Sequence, residues 1–89
     1  MSPEELTEYV ERARRGDSDA WGEVYRQTGP MVFRLCRRLL TRPEDAEDAT
    51  VETFLKAQAK LDQFDGRRPF PAWIYRVAAN QCWDELRKR

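Results

Sequence analysis

Residues 64–76 read FDGRRPFPAWIYR, and this stretch joins a stiff loop to an apolar helical segment. A glycine permits a tight turn, and two prolines restrict the backbone on the way out of the loop. The Trp-Ile-Tyr sequence that follows is typical of a buried helix. The pattern predicts a loop over residues 62–70 and a last helix that begins at Pro71 and runs to about Lys88.

The rest of the chain also predicts helices separated by glycine and proline. Few residues are β-branched and no alternating apolar pattern indicates a sheet. Ser2 and Glu5 form a capping sequence for a first helix that ends at Gly16. The 89 residues are enough for one domain, which we expect to be all-α, a compact bundle of four to five helices. The expected helices cover 2–15, from Asp17 or Ser18 to an interruption at Gly29-Pro30, about 30–41, and Pro43 to about Leu61, followed by the last helix.

Apolar residues recur at helical spacing and predict the core of this bundle. Two of them, Cys36 and Cys82, are expected to be buried free thiols, because a cysteine in an apolar helix is usually inert. The residues predicted to face inward are Leu6, Tyr9, Val10 and Ala13, then Ala20, Trp21, Val24 and Tyr25, then Val32, Phe33, Leu35, Cys36, Leu39 and Leu40, then Ala46, Thr50, Thr53, Phe54, Ala57 and Leu61, and finally Ile74, Tyr75, Ala78, Cys82 and Leu86.

Composition excludes several classes of protein. The chain has no histidine and no CxxC pair, so we expect no metal site and no cofactor. It lacks the roughly 20 consecutive apolar residues of a membrane span and has no apolar signal segment, which predicts a cytoplasmic protein. No candidate nucleophile lies beside a base, so we predict no catalytic residue, no small-molecule substrate and no enzymatic activity.

Charge is balanced overall but unevenly distributed. The 16 basic and 16 acidic residues give a net charge of zero. Acidic residues dominate 44–52, whereas basic residues dominate 67–89. One acidic helix and one basic end suggest two different partners. The alternative is that both are solvated surface, which is how most charge runs behave.

The last helix carries a polar and aromatic stripe. Arg76, Asn80, Trp83 and Arg87 are spaced so that they fall on one side of a helix. Arginines neutralise phosphates, asparagine bonds base edges and an exposed indole can stack on a base. The stripe therefore predicts a nucleic-acid surface. The alternative is an ordinary solvated face with the indole half-buried at its rim.

The loop before this helix has a similar chemistry. Arg67 and Arg68 precede a helix N-terminus, where the helix dipole also favours anions. A stiff rim with an aromatic such as Phe64 nearby could hold an unstacked base. The alternative is that Phe64, Phe70 and Trp73 are core residues that pin the loop.

The fourth predicted helix begins with acidic residues. Glu44, Asp45 and Glu47 are explained by the helix dipole, which acids in the first turn offset. Asp48 and Glu52 lie further along and opposite the predicted core, so they could dock on a basic partner helix. Carboxylate pairs also serve acid–base catalysis, but this chain provides no other catalytic group.

These features in this order resemble region 2 of bacterial sigma factors of the extracytoplasmic-function (ECF) type, in the sigma-70 family. The resemblance rests on PEDAEDATVETFLKA at 43–57, LDQFDGRRPFPAWIYRVAANQCWDELRKR at 61–89 and the more degenerate AWGEVYRQTGPMVFRLCRRLL at 20–40. It covers about residues 17–89 and predicts a single region 2-like domain over 1–89.

The resemblance implies two partners. In that family the acidic helix docks on the β′ clamp helices of RNA polymerase, and the loop and last helix recognise and melt the promoter −10 element by binding its non-template strand, with one base flipped into a pocket. The implied polymerase-binding residues are Glu44, Asp45, Asp48, Glu52 and Thr53. The implied DNA-binding residues are Phe64, Arg67, Arg68, Tyr75, Arg76 and Asn80, to which the stripe adds Trp83 and Arg87.

Two further expectations follow from the resemblance. Such sigma factors also carry a C-terminal helix-turn-helix domain (region 4), which is absent from this sequence, so the chain is either a cut-out domain or a naturally short protein. The alternative function is a sigma-like interaction module that binds polymerase or an anti-sigma factor without reading a promoter.

Overall fold

The computed structural model describes residues 2–88, which form four α-helices and one short 3₁₀ turn. No strand occurs in this range. The elements are α1 (Pro3–Arg14), α2 (Ser18–Leu39), α3 (Pro43–Ala59), the 3₁₀ turn (Leu61–Gln63) and α4 (Phe70–Arg87). The all-α prediction is confirmed, and the predicted loop between α3 and α4 is present apart from its short 3₁₀ turn.

Side-chain caps explain where the first two helices begin. Ser2 Oγ accepts a hydrogen bond from the Glu5 backbone N–H at 3.2 Å, and its hydroxyl is also 3.2 Å from Glu5 Oε1. Gly16 has a φ of +99°, a conformation that favours glycine, and it turns the chain out of α1. Asp17 Oδ1 then accepts from the Ala20 N–H at 3.0 Å and starts α2.

The predicted interruption at Gly29-Pro30 is wrong, because α2 continues through it as one helix. Pro30 lacks the N–H that would bond the carbonyl four residues earlier, which usually costs about 3 kcal/mol inside a helix. Buried side chains before and after it, including Val24 and Val32, hold both halves of α2 on the same core. Tertiary packing therefore outweighs the local preference of the proline.

Helix α2 lies at the centre of the bundle and contacts α1, α3 and α4. Trp21 of α2 makes edge contacts with Phe54 and Phe70, at ring-centroid distances of 6.0 and 6.3 Å. Most predicted core residues are buried or partly buried. The exceptions are Tyr25, Tyr75 and Leu86, which the structure leaves exposed at the edges of the apolar stripes.

The two cysteines are buried free thiols, as predicted. They belong to α2 and α4, and the Cys36 thiol lies beside the Cys82 thiol across the helix pair. Burial, and then that contact, raises the pKa of the Cys82 thiol to about 12. Cys82 is therefore a packing residue and remains protonated at neutral pH. No helix within residues 2–88 is long and apolar enough to cross a membrane.

Candidate nucleic-acid and protein interface

The loop before α4 is shaped by Asp65. Its Oδ1 accepts a hydrogen bond from the Arg67 backbone N–H at 2.9 Å, and Gly66 between them has a φ of +77°. Arg67 Nε also lies 3.5 Å from Asp65 Oδ2. This turn leaves Arg67 and Arg68 in solvent beside the N-terminus of α4, which no side chain caps. Both guanidinium groups are accessible to an anion.

Phe64, predicted as a DNA contact, is buried under the loop. It is only 7% exposed, and its ring lies 5.7 Å from Phe70 and 5.3 Å from Trp73. The three rings form an aromatic cluster under the loop, which is the alternative that the sequence left open. In this arrangement the buried ring supports the loop, and the DNA contact of Phe64 stays a prediction.

The stripe on α4 faces solvent as predicted. Arg76, Asn80, Trp83 and Arg87 are all exposed, and Trp83 has 52% of its surface accessible. Arg87 forms an ion pair with Asp84, whereas Arg76 has no carboxylate partner within residues 2–88. Tyr75, predicted both as core and as a DNA contact, is 41% exposed and lies next to this stripe. The α4 surface thus offers cations, an amide and aromatic rings together.

The acidic face of α3 is also exposed, whereas Thr53 of the same helix is buried. Glu44, Asp48 and Glu52 lie in solvent, and Glu44 Oε1 accepts from Arg42 Nε at 3.2 Å. Asp45 is half-buried. Thr53, predicted to contact polymerase, is fully buried, and its hydroxyl donates to the Ala49 carbonyl at 2.7 Å. Thr53 therefore packs α3 on the core in this arrangement, and its contact with polymerase stays a prediction.

Two exposed apolar residues on α3 were not predicted from the sequence as part of a binding surface. Val51 and Leu55 are 49% and 56% exposed and lie one turn apart, beside Asp48 and Glu52. Their spacing from these acids is visible in the sequence, since residues three and four apart are neighbours on a helix. The acidic face is therefore a mixed acidic and apolar surface.

A groove between α2 and α3 adjoins this surface. It has a volume of about 860 Å³ and an apolar lining that includes Trp21, Tyr25, Pro30, Phe33 and Val51. Gly29 leaves room for the Tyr25 ring, since a Cβ there would lie 3.4 Å from it. Tyr25 packs over Phe54 with its ring centroid 4.3 Å away. The groove depends on residues distant in sequence and could not be predicted from periodicity.

A polar chain joins α3 to α4 behind these surfaces. Lys56 Nζ donates to Oε1 of Gln81, which is buried. The Gln81 amide nitrogen then donates to Glu85 Oε1 at 3.3 Å. These hydrogen bonds satisfy the buried Gln81 amide and link α3 to α4.

Comparison with known proteins identifies the family to which this chain belongs. Residues 24–89 match the Sigma-70 region 2 family. The chain is 34% identical over 80 residues to the ECF RNA polymerase sigma factor SigW of Bacillus subtilis (strain 168). The aligned region covers 90% of this chain and 43% of SigW. The chain therefore belongs to region 2 of the sigma-70 family, in its ECF branch. The predicted family is confirmed.

Solved structures agree with this assignment. An engineered region 2 of sigmaE in complex with GTAAAA is 32% identical, with a TM-score of 0.84 over 97% of this chain and 86% of that one. A complex of RsbN with BldN is 34% identical, with a TM-score of 0.82 over 89% of this chain and 58% of that one. The chain spans less than half the length of the first curated relatives that it matches.

Proposed function

We propose that this domain acts in transcription initiation by binding two partners. The loop and α4 bind the non-template strand of a promoter −10 element, and the acidic face of α3 binds the β′ clamp helices of RNA polymerase. The role is one of binding and not of catalysis, and it is exercised where the polymerase is, in the cytoplasm. The proposal is carried by the α4 stripe beside the loop that holds Arg67 and Arg68 (the arginine loop).

The DNA role is supported by the chemistry of α4. Arg76 has no acidic partner within residues 2–88, so its charge is available to a phosphate. Trp83 presents an exposed ring on which an unpaired base can stack. Such stacking contributes about 1–3 kcal/mol per base. Asn80, one turn from Arg76, offers both a donor and an acceptor to base edges. The bound GTAAAA in the sigmaE relative supports the same role.

Binding of a labelled single strand tests this role. A promoter-derived strand carrying a −10 element should bind with strong salt dependence, and Arg76→Ala and Asn80→Ala should each weaken it about tenfold. Arg15→Ala is the matched control, since Arg15 is exposed directly after α1 and its side chain has no ion-pair partner within the described residues. Equal losses in all three variants would contradict the assignment to α4.

The polymerase role is supported by the mixed surface of α3. Asp48 and Glu52 offer charge to a basic helix, and Val51 and Leu55 offer apolar area that is otherwise left in water. Apolar area beside charge is typical of an interface core with a polar rim.

Binding to a purified β′ clamp-helix fragment tests this second role. Asp48→Arg should abolish docking and leave single-strand binding intact. Asp62→Arg reverses one exposed acid outside α3 and should leave docking unchanged. If Asp48→Arg reduces binding to DNA and to polymerase equally, the two partners do not use separate surfaces.

A second candidate is an interaction module that binds a regulatory protein without reading a promoter. The apolar α2–α3 groove favours it, and BldN is solved in complex with another protein, RsbN. Strand binding that depends on Arg76 and Asn80 would argue against this candidate. Docking on the clamp helices without any strand binding would favour it.

A further inference from the structure

Three arginines of α2 take no part in the contacts proposed above. Arg34, Arg37 and Arg38 are exposed on the second half of the helix. Arg34 and Arg38 have no ion-pair partner within residues 2–88, and Arg37 Nη1 donates only to the Thr41 carbonyl, at 3.1 Å. Six arginines elsewhere are paired with carboxylates: Arg12, Arg14, Arg26, Arg42, Arg67 and Arg87.

These unpaired charges line a groove between α2 and α4. The groove has a volume of about 350 Å³, and its lining combines the three arginines with Met31, Phe33 and Tyr75. Tyr75 belongs to α4 and is 41% exposed. It directly precedes Arg76, so the α4 side of the groove lies one residue before the start of the α4 stripe. The three arginines therefore place positive charge on α2 beside Tyr75 of α4.

The composition of the groove suits one kind of ligand. A single-stranded nucleic acid has phosphates for guanidinium groups and flat bases for an aromatic ring, and sites for such strands combine a cationic groove with aromatic platforms. An acidic protein segment could pair with the arginines. It would have less use for an exposed tyrosine among apolar side chains, and it would not be expected to follow the α4 stripe.

We propose that the α2–α4 groove binds the sugar–phosphate backbone of a single strand, with phosphates on Arg34, Arg37 and Arg38 and a base against Tyr75. This inference rests on the proposed DNA role and extends it to a second helix. The contacts are to phosphates and to a ring face, so they add affinity for any sequence.

The salt dependence of binding tests the inference. For single strands, the logarithm of the binding constant falls with the logarithm of salt concentration with a slope of about −0.7 per neutralised phosphate. Replacing all three arginines by glutamine should therefore reduce the slope by about 2. Arg14→Gln, Arg15→Gln and Arg26→Gln together remove the same charge from other surfaces and should change it much less. Tyr75→Leu should weaken binding about tenfold.

The measurement uses the whole chain, a labelled oligo-dT strand and a labelled −10 strand. The variant in which Arg34, Arg37 and Arg38 are replaced (the α2 triple variant) should show a smaller salt-dependence slope on both strands. Its melting temperature should match that of the control variant in which Arg14, Arg15 and Arg26 are replaced. If the triple variant keeps the wild-type slope while Arg76→Ala weakens binding, the groove inference is overturned and the proposed α4 role stands.

Three other outcomes separate the proposals. If the wild-type chain binds neither strand, the DNA role and the groove inference both fail. If the triple variant keeps its slope but loses affinity for RNA polymerase core, the groove is a protein-docking surface and the inference is overturned. If the α2 triple loses slope while Arg76→Ala has no effect, the groove inference stands and the α4 assignment fails.

Discussion

The Phe64 and Phe70 rings meet edge to face, with a centroid distance of 5.7 Å and an interplanar angle of 87°. This is the geometry that aromatic pairs prefer. The two residues lie at opposite ends of the arginine loop, so their contact joins its ends on the core. The two ends of the loop are therefore held on the core, and Arg67 and Arg68 project from a turn between these ends.

Phe64 should contribute strongly to stability. We expect Phe64→Ala to lower the free energy of unfolding by about 3–5 kcal/mol, because it leaves a cavity in the aromatic cluster. Phe64→Leu keeps most of the apolar volume and should cost much less. Urea denaturation of both variants measures the difference. Equal and small losses would mean that the ring does not anchor the loop.

Two glycines should respond in opposite directions to replacement by alanine. Gly66 has a φ of +77°, so Gly66→Ala should destabilise the fold by about 1–2 kcal/mol. Gly22 is exposed inside α2, and a Cβ there would have no atom within 4 Å. Gly22→Ala should therefore stabilise the fold by about 0.5–1 kcal/mol. Thermal melts of the two variants test the signs, and shifts in the same direction would contradict this account of the loop.

The polar chain between α3 and α4 should be sensitive to loss of one partner. Lys56→Met leaves the buried Gln81 oxygen without the donor it now has, which should cost about 1–3 kcal/mol. Adding Gln81→Leu removes the buried amide as well and should restore much of that loss. A double-mutant cycle in urea measures the coupling. Simple additivity would show that the hydrogen bond does not stabilise the helix pair.

Stability at acid pH should depend on Asp17. The Ala20 N–H, and then the Arg12 guanidinium, lower the pKa of Asp17 from its ordinary value of 3.8. A carboxylate whose pKa is lower in the folded state stabilises the fold above its unfolded pKa. That contribution is lost as pH falls through the folded pKa. We therefore expect Asp17 to contribute fully above about pH 4, and its contribution to decline below that until pH falls under the lowered folded-state pKa.

Asp17→Asn isolates this effect, because asparagine caps a helix about as well but does not titrate. The variant should lose less stability than the parent between pH 4 and pH 2 in denaturation experiments. Asp62→Asn is the control, since Asp62 has no hydrogen-bond or ion-pair partner within the described residues. Identical pH profiles for the parent and Asp17→Asn would contradict the predicted coupling.

The exposed apolar residues of α3 should matter for binding and not for folding. Leu55→Ser should weaken binding to the clamp-helix fragment about fivefold, corresponding to about 1 kcal/mol of apolar area no longer buried. Its melting temperature should stay close to that of the parent, because Leu55 is 56% exposed. Gln58→Ser replaces another exposed residue of α3 and serves as the control. Unchanged affinity would remove Leu55 from the interface.

The sequence determined the helical class, most helix ends and the solvent-facing stripes. Caps such as Ser2 and Asp17 act within three residues, and the stripe from Arg76 to Arg87 follows from helical periodicity alone. These features depend on neighbours along the chain. The family resemblance was also visible in the sequence, because its motifs are short and local.

Only the tertiary structure decided the remaining features. Helix α2 continues through Pro30 because buried residues on both sides hold it to the core. Thr53 and Phe64 are buried, and Tyr75 lies beside the α2 arginines, because of how the helices pack together. Periodicity identifies a side of a helix, but the neighbouring helix determines how much of that side it covers. That coverage decides which residues can reach a partner.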